Sequence, residues 1–524
     1  MPNNAFGDFQ TPPGLVKQVL DRLSALHHVG WERVLEPTCG VGHFIQGFIE
    51  SSLAANGCEI QGIELQTEHL AHAAGMTMNT PNITVKLRQA NLFDINLHTD
   101  LAWERQGRLL VIGNPPWVTN SGLGVLDSSN HPQRWNIKGA SGMDAMTGAS
   151  NFDLAEFIWI KLIHELKDEQ PTIALLCKTS VARNVLKFAA KKNLPLTAAG
   201  VWKIDSKKWF NAAVDACLLV IEVGAKWSLT QIPVYADLTS DSLVSVMGFQ
   251  DGNFVVDLAG YQAVAKFEGL FQYEWRQGVK HDAASVMELV YGENGFLLNK
   301  NGESVDIEKD HVYPLLKGSD LYKYPANAFS KAVIVTHSYI GQDTRPIQRL
   351  APKLWAYLCE HHEVFDRRKS SIYVGKPPFS MFGIGDYTFA PSKVAISGLH
   401  KSPRFIALGL EAGRPVVFDD TCYFIALHSA PEACLIAALL NTEHARKFLE
   451  MVSFTDAKRP FSKRVLQRIN LQALFAACDK NQLLTDAQTH YNGMSGKPLD
   501  LLASWHDEID RLFGTVLEQK RLLG

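Results

Sequence analysis

Between Arg33 and Val223, short apolar runs alternate with amphipathic stretches, and few folds accept that order. The runs are Arg33–Glu36, Glu59–Glu64, Ile83–Arg88, Leu109–Gly113, Thr172–Cys177, Ala198–Ile204 and Ala216–Val223. After the first run, Phe44, Ile45, Phe48 and Ile49 recur at helical spacing; before the fifth, Leu154, Phe157, Ile158, Ile160, Leu162 and Ile163 do. Strands joined by helical crossovers build a mainly parallel sheet covered on both faces. The expectation is a Rossmann-like, doubly wound α/β sheet of seven strands within residues 1–228. Ligands in such sheets bind beyond the carboxyl ends of the strands, so the residues that follow each run carry the functional information.

After the first run comes Glu36-Pro37-Thr38-Cys39-Gly40-Val41-Gly42. Gly40 and Gly42 let a backbone turn approach a ligand closely. A G-x-G alone is shared with plain strand–helix turns. Position 45 is Ile where the dinucleotide fingerprint requires glycine, and the chain has no G-x-x-x-x-G-K-[ST] run. The second run ends at Glu64. An acid about twenty residues past the glycines can hold ribose hydroxyls, and the same carboxylate also suits a helix N-cap. The third run leads into Ala90-Asn91-Leu92-Phe93, and the fourth, wholly apolar, into Asn114-Pro115-Pro116-Trp117. Proline fixes φ and donates no hydrogen bond, so this last loop is stiff and offers carbonyl acceptors beside an aromatic ring. That set suits the grip on a planar group carrying an NH2. A glycine- and serine-rich stretch, Val118–Ser150, follows and is of a length usual for functional or mobile loops. Upstream, Thr11 precedes Pro12-Pro13 at a helix start.

T-P-P at 11–13, L-E-P-x-C-G-x-G-x-F at 35–44, G-I-E at 62–64, A-N-L-F at 90–93 and N-P-P-W at 114–117 occur in that order. This succession resembles the N6-adenine DNA methyltransferases of the gamma arrangement, such as Type II restriction–modification methylases, over roughly residues 6–225. In that family the cofactor half precedes the catalytic half, and a target-recognition domain follows. N-P-P-[YFW] also occurs in enzymes that methylate RNA bases or glutamine side chains. The resemblance implies S-adenosylmethionine as cofactor. Thr11 would lie against its methionine carboxylate, and Glu36, Gly40 and Gly42 around the methionyl part. Glu64 would hold the ribose hydroxyls, Ile63 the adenine face and Asn91 the adenine edge, with Asn114 beside the cofactor. The family often has Asp where this chain has Asn91; an amide still accepts from the adenine amino group and can also donate to a ring nitrogen.

The resemblance also assigns catalysis to Asn114, Pro115, Pro116 and Trp117. An exocyclic adenine amine is a poor nucleophile because its lone pair is delocalised into the ring. Acceptors at Asn114 Oδ1 and the Pro115 carbonyl would draw the nitrogen toward sp3 geometry and stabilise the charge that develops on it. No metal and no covalent intermediate is required. A base inside a duplex must be flipped out and held by stacking. Trp117 supplies one face, and Phe210 matches by position the family's second aromatic; a core role for Phe210 is the competing reading.

The chain has 524 residues, enough for two or three domains. Residues 229–270 read as a connector, 271–475 as an α+β target-recognition domain opening at Glu274-Trp275-Arg276-Gln277-Gly278, and 476–524 as a C-terminal helical segment. The net charge of −3 excludes a uniformly basic nucleic-acid binder, so DNA contact has to be local. Cations gather with aromatics at Arg367, Arg368, Lys369 and Tyr373, and again at Lys458, Arg459, Phe461, Lys463 and Arg464. These are the expected DNA-binding residues, with a solvated helix face as the alternative. The eight cysteines show no C-x-x-C, and His361-His362 lack spaced partners, so no metal site is expected. No apolar run is long enough to span a membrane and no leader pattern opens the chain, which points to a cytoplasmic protein.

The reading is a site-specific adenine-N6 methyltransferase that flips its target base out of duplex DNA. It would act as a monomer on DNA, in a restriction–modification system whose endonuclease is a separate protein, because the cofactor motifs begin within the first residues. Two alternatives stay open: an RNA-base or protein-glutamine methyltransferase, and a catalytically inactive DNA-binding specificity subunit.

Overall fold

Ten strands make the sheet of the first unit: β1 (Trp31–Glu36), β2 (Ala54–Glu64), β3 (Ile83–Gln89), β4 (Leu109–Gly113), β5 (Thr172–Lys178), β6 (Leu196–Ile204), β7 (Ala216–Val223), β8 (Gln231–Tyr235), β9 (Leu243–Gln250) and β10 (Asn253–Val255). The computed structural model describes residues 10–76, 82–118, 153–250, 252–292, 296–324, 329–454, 456–495, 505 and 508–513. The Val118–Ser150 loop beyond Val118, and residues 496–504, 506–507 and 514–524 of the C-terminal helical segment, lie outside the described residues. The chain divides into two compact units, Met1–Ala259 and Gly260–Gly524.

The strand order is β10-β9-β8-β6-β7-β5-β4-β1-β2-β3. Pairing is parallel from β3 through β2, β1 and β4 to β5, and β7 enters antiparallel between β5 and β6. The order reverses between β1 and β4, which are neighbours in the sheet but not in the chain. That is a topological switch point, where a crevice opens at the carboxyl ends of the strands.

Both faces of the sheet are covered, which is why its strands read as continuous apolar runs. On one face, Val34, Ile60, Leu110, Ile112, Ala174 and Leu176 meet Leu15, Val16, Val19 and Leu23 of α1 (Pro13–Leu26) and Phe44, Ile45 and Phe48 of α2 (His43–Glu50). The alternate residues Leu109, Val111, Ile173, Leu175, Leu219 and Ile221 are equally buried on the other face. Next in chain order come α3 (Thr67–Met76), α4 (Leu97–Asp100), α5 (Leu154–Leu166), α6 (Thr179–Lys192) and α7 (Ser206–Phe210). Helix α5 is buried around nearly its whole circumference, as its mostly apolar sequence requires, and its buried Glu156 and Lys161 are held by Asn184 and Glu165.

The structure corrects the boundary placed at residue 229. The stretch expected as a connector, 229–270, carries β8, β9 and β10, which extend the same sheet to ten strands rather than seven. They lie at one end of the sheet, with β10 at its edge. Leu243 and Val244 of β9 are exposed, so the buried-strand signature fades although the pairing continues.

The second unit is α+β. One sheet runs β14 (Ser304–Val305), β13 (Leu297–Asn299), β12 (Glu288–Tyr291), β16 (Lys331–Ile334), β15 (Val312–Leu316) and β19 (Val417–Phe418). The other runs β11 (Arg276–Gln277), β20 (Cys422–Leu427), β17 (Ser392–Ser397) and β18 (Phe405–Leu408). Gly278 sits where the chain passes against another backbone: a Cβ there would meet the Asp419 carbonyl oxygen at 2.1 Å. Among the described residues, no helix is long and apolar enough to cross a membrane.

Candidate active site

The carboxyl ends of β1, β2 and β4, and the turn after β3, converge on one cleft in the first unit. Thr11, Glu36, Gly40, Ile63, Glu64, Asn91, Asn114 and Pro116 line it, together with Phe93 and with Leu154 and Ile158 of α5. Seven of the eight residues expected around the cofactor therefore lie on one surface. The eighth, Gly42, stands behind it as the N-cap of α2.

The glycine turn is held from two sides. Gly40 N donates to Glu64 Oε2 at 2.8 Å, and Val41 N donates to Gln10 Oε1 at 3.1 Å. Gly40 has φ +52° and Gly42 +89°, and a Cβ on Gly42 would lie 2.9 Å from Ala73 Cβ. Strain and crowding together restrict both positions to glycine. His43 Nδ1 bonds the Thr11 carbonyl at 2.8 Å, so the segment before α1 is tied to the same turn. Gln10 and His43 carry no motif that singles them out in the sequence; their partners are distant along the chain.

Glu64 also accepts from Gln66 N, through Oε1 at 2.8 Å. Each of its oxygens keeps a second lone pair for a ligand hydroxyl. Asn91 Oδ1 accepts from Phe93 N at 3.1 Å and so shapes the turn it stands in. Glu36 is in a different state. It is 2% exposed, and its Oε2 has no hydrogen-bond partner among the described residues. Burial, and in addition the nearby Glu64 charge, push its carboxyl well above the usual carboxylate range. Thr38 Oγ1, also on the cleft, is likewise buried without a partner. A buried acid with one oxygen left unpartnered, beside a second carboxylate, an amide and apolar Ile63 and Phe93, fits a cationic, ribose-bearing, aromatic ligand. S-adenosylmethionine is such a ligand: its ammonium and sulfonium suit Glu36, its diol Glu64 and its adenine Ile63 and Asn91.

Beyond β4, Pro115 and Trp117 are buried and Asn114 is half-buried. Trp117 and Phe210, which ends α7, pack edge to face with centroids 5.1 Å apart and planes inclined at 68°. The structure brings the two aromatics together, but in contact with each other, with no slot between parallel rings.

In the second unit the expected DNA-contacting cations fall into two groups. Arg368 donates to the carbonyls of Phe365 (3.1 Å) and Ser380 (2.7 Å) and stacks 3.8 Å over Tyr373. Arg459 is held by Asp420 Oδ2 at 3.1 Å. These two brace the protein. Exposed Arg367 pairs with Glu363, and Lys463 with Glu274. Lys369, Lys458 and Arg464 are exposed, with no ion pair among the described residues. A run of cations in a sequence does not say which point inward.

No protein-family model matches the chain. In fold, it superposes on the Type IIL restriction-modification enzyme MmeI, solved in complex with DNA, with TM-score 0.49 and 13% identity over 97% of this chain and 76% of that one. The superposition on the type IIG restriction endonuclease BpuSI has TM-score 0.34 and 13% identity, covering 92% of this chain and 60% of that one. In sequence, the chain is 37% identical over 476 residues to the Type II methyltransferase M.NspV of Nostoc sp. (strain ATCC 29411 / PCC 7524), an alignment that takes in 90% of this chain and 97% of that protein. With identity at that level along almost the whole of both chains, this protein belongs to the Type II methyltransferases.

Proposed function

We propose that the chain methylates adenine N6 at a specific site in duplex DNA, as the modification enzyme of a restriction–modification system. The observation that carries this reading is the shared cleft: Asn114 and Pro116 line the same surface as Glu36, Glu64 and Asn91. A cofactor cradle and a stiff pair of amine acceptors are thereby within reach of one another.

The cofactor of this family, S-adenosylmethionine, supplies an electrophilic methyl group when bound. Glu36 offers a buried carboxyl to its cationic end, and Glu64 offers lone pairs to its ribose. Asn114 Oδ1 and the Pro115 carbonyl accept the two hydrogens of the target amine, which turns its lone pair outward. As positive charge grows on that nitrogen, the same preorganised dipoles stabilise it. Trp117 offers its face to a flipped base, and the contact with Phe210 opens to admit it. Lys369, Lys458 and Arg464, joined by Arg367 and Lys463 when their ion pairs exchange, hold phosphates and fix the register on the duplex. The chain acts as a monomer on DNA, and a cognate endonuclease is a separate protein.

The test is transfer of a labelled methyl group from S-adenosylmethionine to unmodified duplex DNA of mixed sequence, with the modified base identified. N6-methyladenine is expected. Asn114→Ala should lower transfer at least about 10²-fold while the cofactor still binds. Label in RNA or protein alone would overturn the substrate. Label on a base other than adenine would overturn the specificity, and full activity of the alanine variant would overturn the mechanism. Sequencing DNA from cells that express the chain would give the recognition site.

A further inference from the structure

We infer that Lys178 is a positioning residue: its ammonium clasps the Trp117 peptide to the start of α5 and so holds the target-base loop in register with the cofactor cleft. The inference rests on the reading of Asn114–Trp117 given above. Pro115 and Pro116 stiffen the loop covalently, since each ring fixes its own φ. Trp117 is the first residue past them with both dihedrals free, and whatever holds it must come from elsewhere in the fold.

Lys178 Nζ donates to the Trp117 carbonyl at 3.0 Å and to Asp153 Oδ2 at 2.7 Å. Asp153 in turn caps α5, with Oδ1 accepting from Ala155 N at 3.1 Å. Beside this, Leu154 N donates to the Val118 carbonyl at 2.9 Å. One ammonium thus joins the end of the β4 loop to the first turn of a buried helix. Leu154 and Ile158 of that helix line the cofactor cleft. Lys178 itself is the last residue of β5, whose pairing with β4 runs to Gly113↔Leu175, so the clasp is anchored on the central sheet. Lys178 is absent from the cleft wall, and its effect on the reaction passes through Trp117.

The competing account is a buried ion pair of structural value only. The Lys178 side chain is 18% exposed and that of Asp153 7%, so removing the lysine alone strands a buried carboxylate. The experiment therefore compares Lys178→Met, Lys178→Arg and the double variant Lys178→Met/Asp153→Asn, which removes both charges together. Three quantities are read on the full chain: amide hydrogen exchange, single-turnover methyl transfer to duplex DNA of mixed sequence, and the Kd for S-adenosylmethionine. In Lys178→Met and in the double variant, the peptides covering Trp117–Val118 and Asp153–Phe157 should exchange about tenfold faster. Transfer should fall about tenfold or more, because a misplaced reacting geometry costs rate rather than affinity, while the cofactor Kd stays within about twofold. Lys178→Arg keeps a donor to both partners and should recover most of the rate. Unchanged exchange in Lys178→Met, a wild-type rate in a folded double variant, or an arginine variant as slow as methionine would each overturn the inference. If the wild-type chain transfers no methyl group to DNA, the functional reading fails, and the exchange comparison still decides whether the clasp exists.

Discussion

Glu36 and Glu288 are the same residue in opposite conditions, one in each unit of the chain. Both are buried. Glu36 has an oxygen with no partner among the described residues, and burial holds its carboxyl well above the ordinary range. Glu288 faces Lys317 at 2.9 Å and Lys300 at 2.7 Å, with His281 Nε2 at 3.6 Å. Burial pushes its carboxyl up, but the two lysines outweigh that and leave it below the ordinary range. The protein has supplied Glu288 with its cations and left an oxygen of Glu36 unpartnered among the described residues. A buried acid with an unpartnered oxygen beside a cleft signals binding; a buried acid already paired signals architecture.

The comparison can be broken in several places. Removing the paired acid should have the largest effect. Glu288→Ala removes the buried acceptor of two partly exposed lysines and should lower the stability of the second unit by about 1.5–3 kcal/mol, read by calorimetry, with no change in cofactor affinity. A comparable loss should come from acid alone. His281 is depressed to about 4, mainly by burial. The unfolded chain takes up that proton near pH 6.5 and the folded one does not. The stability this group contributes is therefore present above about pH 6.5 and lost as pH falls toward 4, up to about 3 kcal/mol. A pH series of melting curves measures it, and a flat series would remove His281 from the account.

Glu36→Gln should weaken S-adenosylmethionine binding by about 1.5–3 kcal/mol, the worth of a hydrogen bond to a charged group. The pH dependence sharpens the contrast. Because the Glu36 pKa is raised, binding of a cation should tighten in the wild type as pH rises through it, and the glutamine variant should lose that slope. The stability of the free protein should move the other way. The contribution of Glu36 is full below its unfolded value and is lost as pH rises through the folded one, so the variant should melt higher in alkali. Titration calorimetry and melting at several pH values read the two effects. The smallest effect separates the surface cations. Arg464→Ala should reduce the slope of log binding constant for duplex DNA against log salt by about 1, whereas Arg459→Ala should leave the slope alone and cost stability.

Much of the site can be read from the sequence because it sits at strand ends. Once Leu109–Gly113 is taken as a buried strand, Asn114 has to emerge at the sheet's carboxyl edge, and Glu36 and Glu64 emerge beside it for the same reason. Contacts made at long range escape that logic. Lys178 and Trp117 are 61 positions apart, and nothing local to a lysine ending an apolar strand names its acceptor. Asp153 left more of a trace, since an acid three residues before Glu156 at the head of an apolar helix is capping chemistry. Strands β8–β10, at one end of the sheet, were hidden because half-exposed strands lose the continuous apolar pattern. The identities of Trp117 and Phe210 were legible, but their mutual contact was not, because a sequence gives two rings without the gap between them.

That contact bears on where selectivity can arise. An edge-to-face pair is worth about 0.5–1.5 kcal/mol, and stacking a base on an aromatic ring about 1–3 kcal/mol. Exchanging the first for the second leaves little surplus, while drawing a paired base out of a duplex costs a few kcal/mol. On the function proposed above, the pocket around Trp117 is then a receiver rather than an extractor: strain imposed on the helix at the right sequence would have to present the base, and a wrong sequence would be turned away before any base reached Asn114.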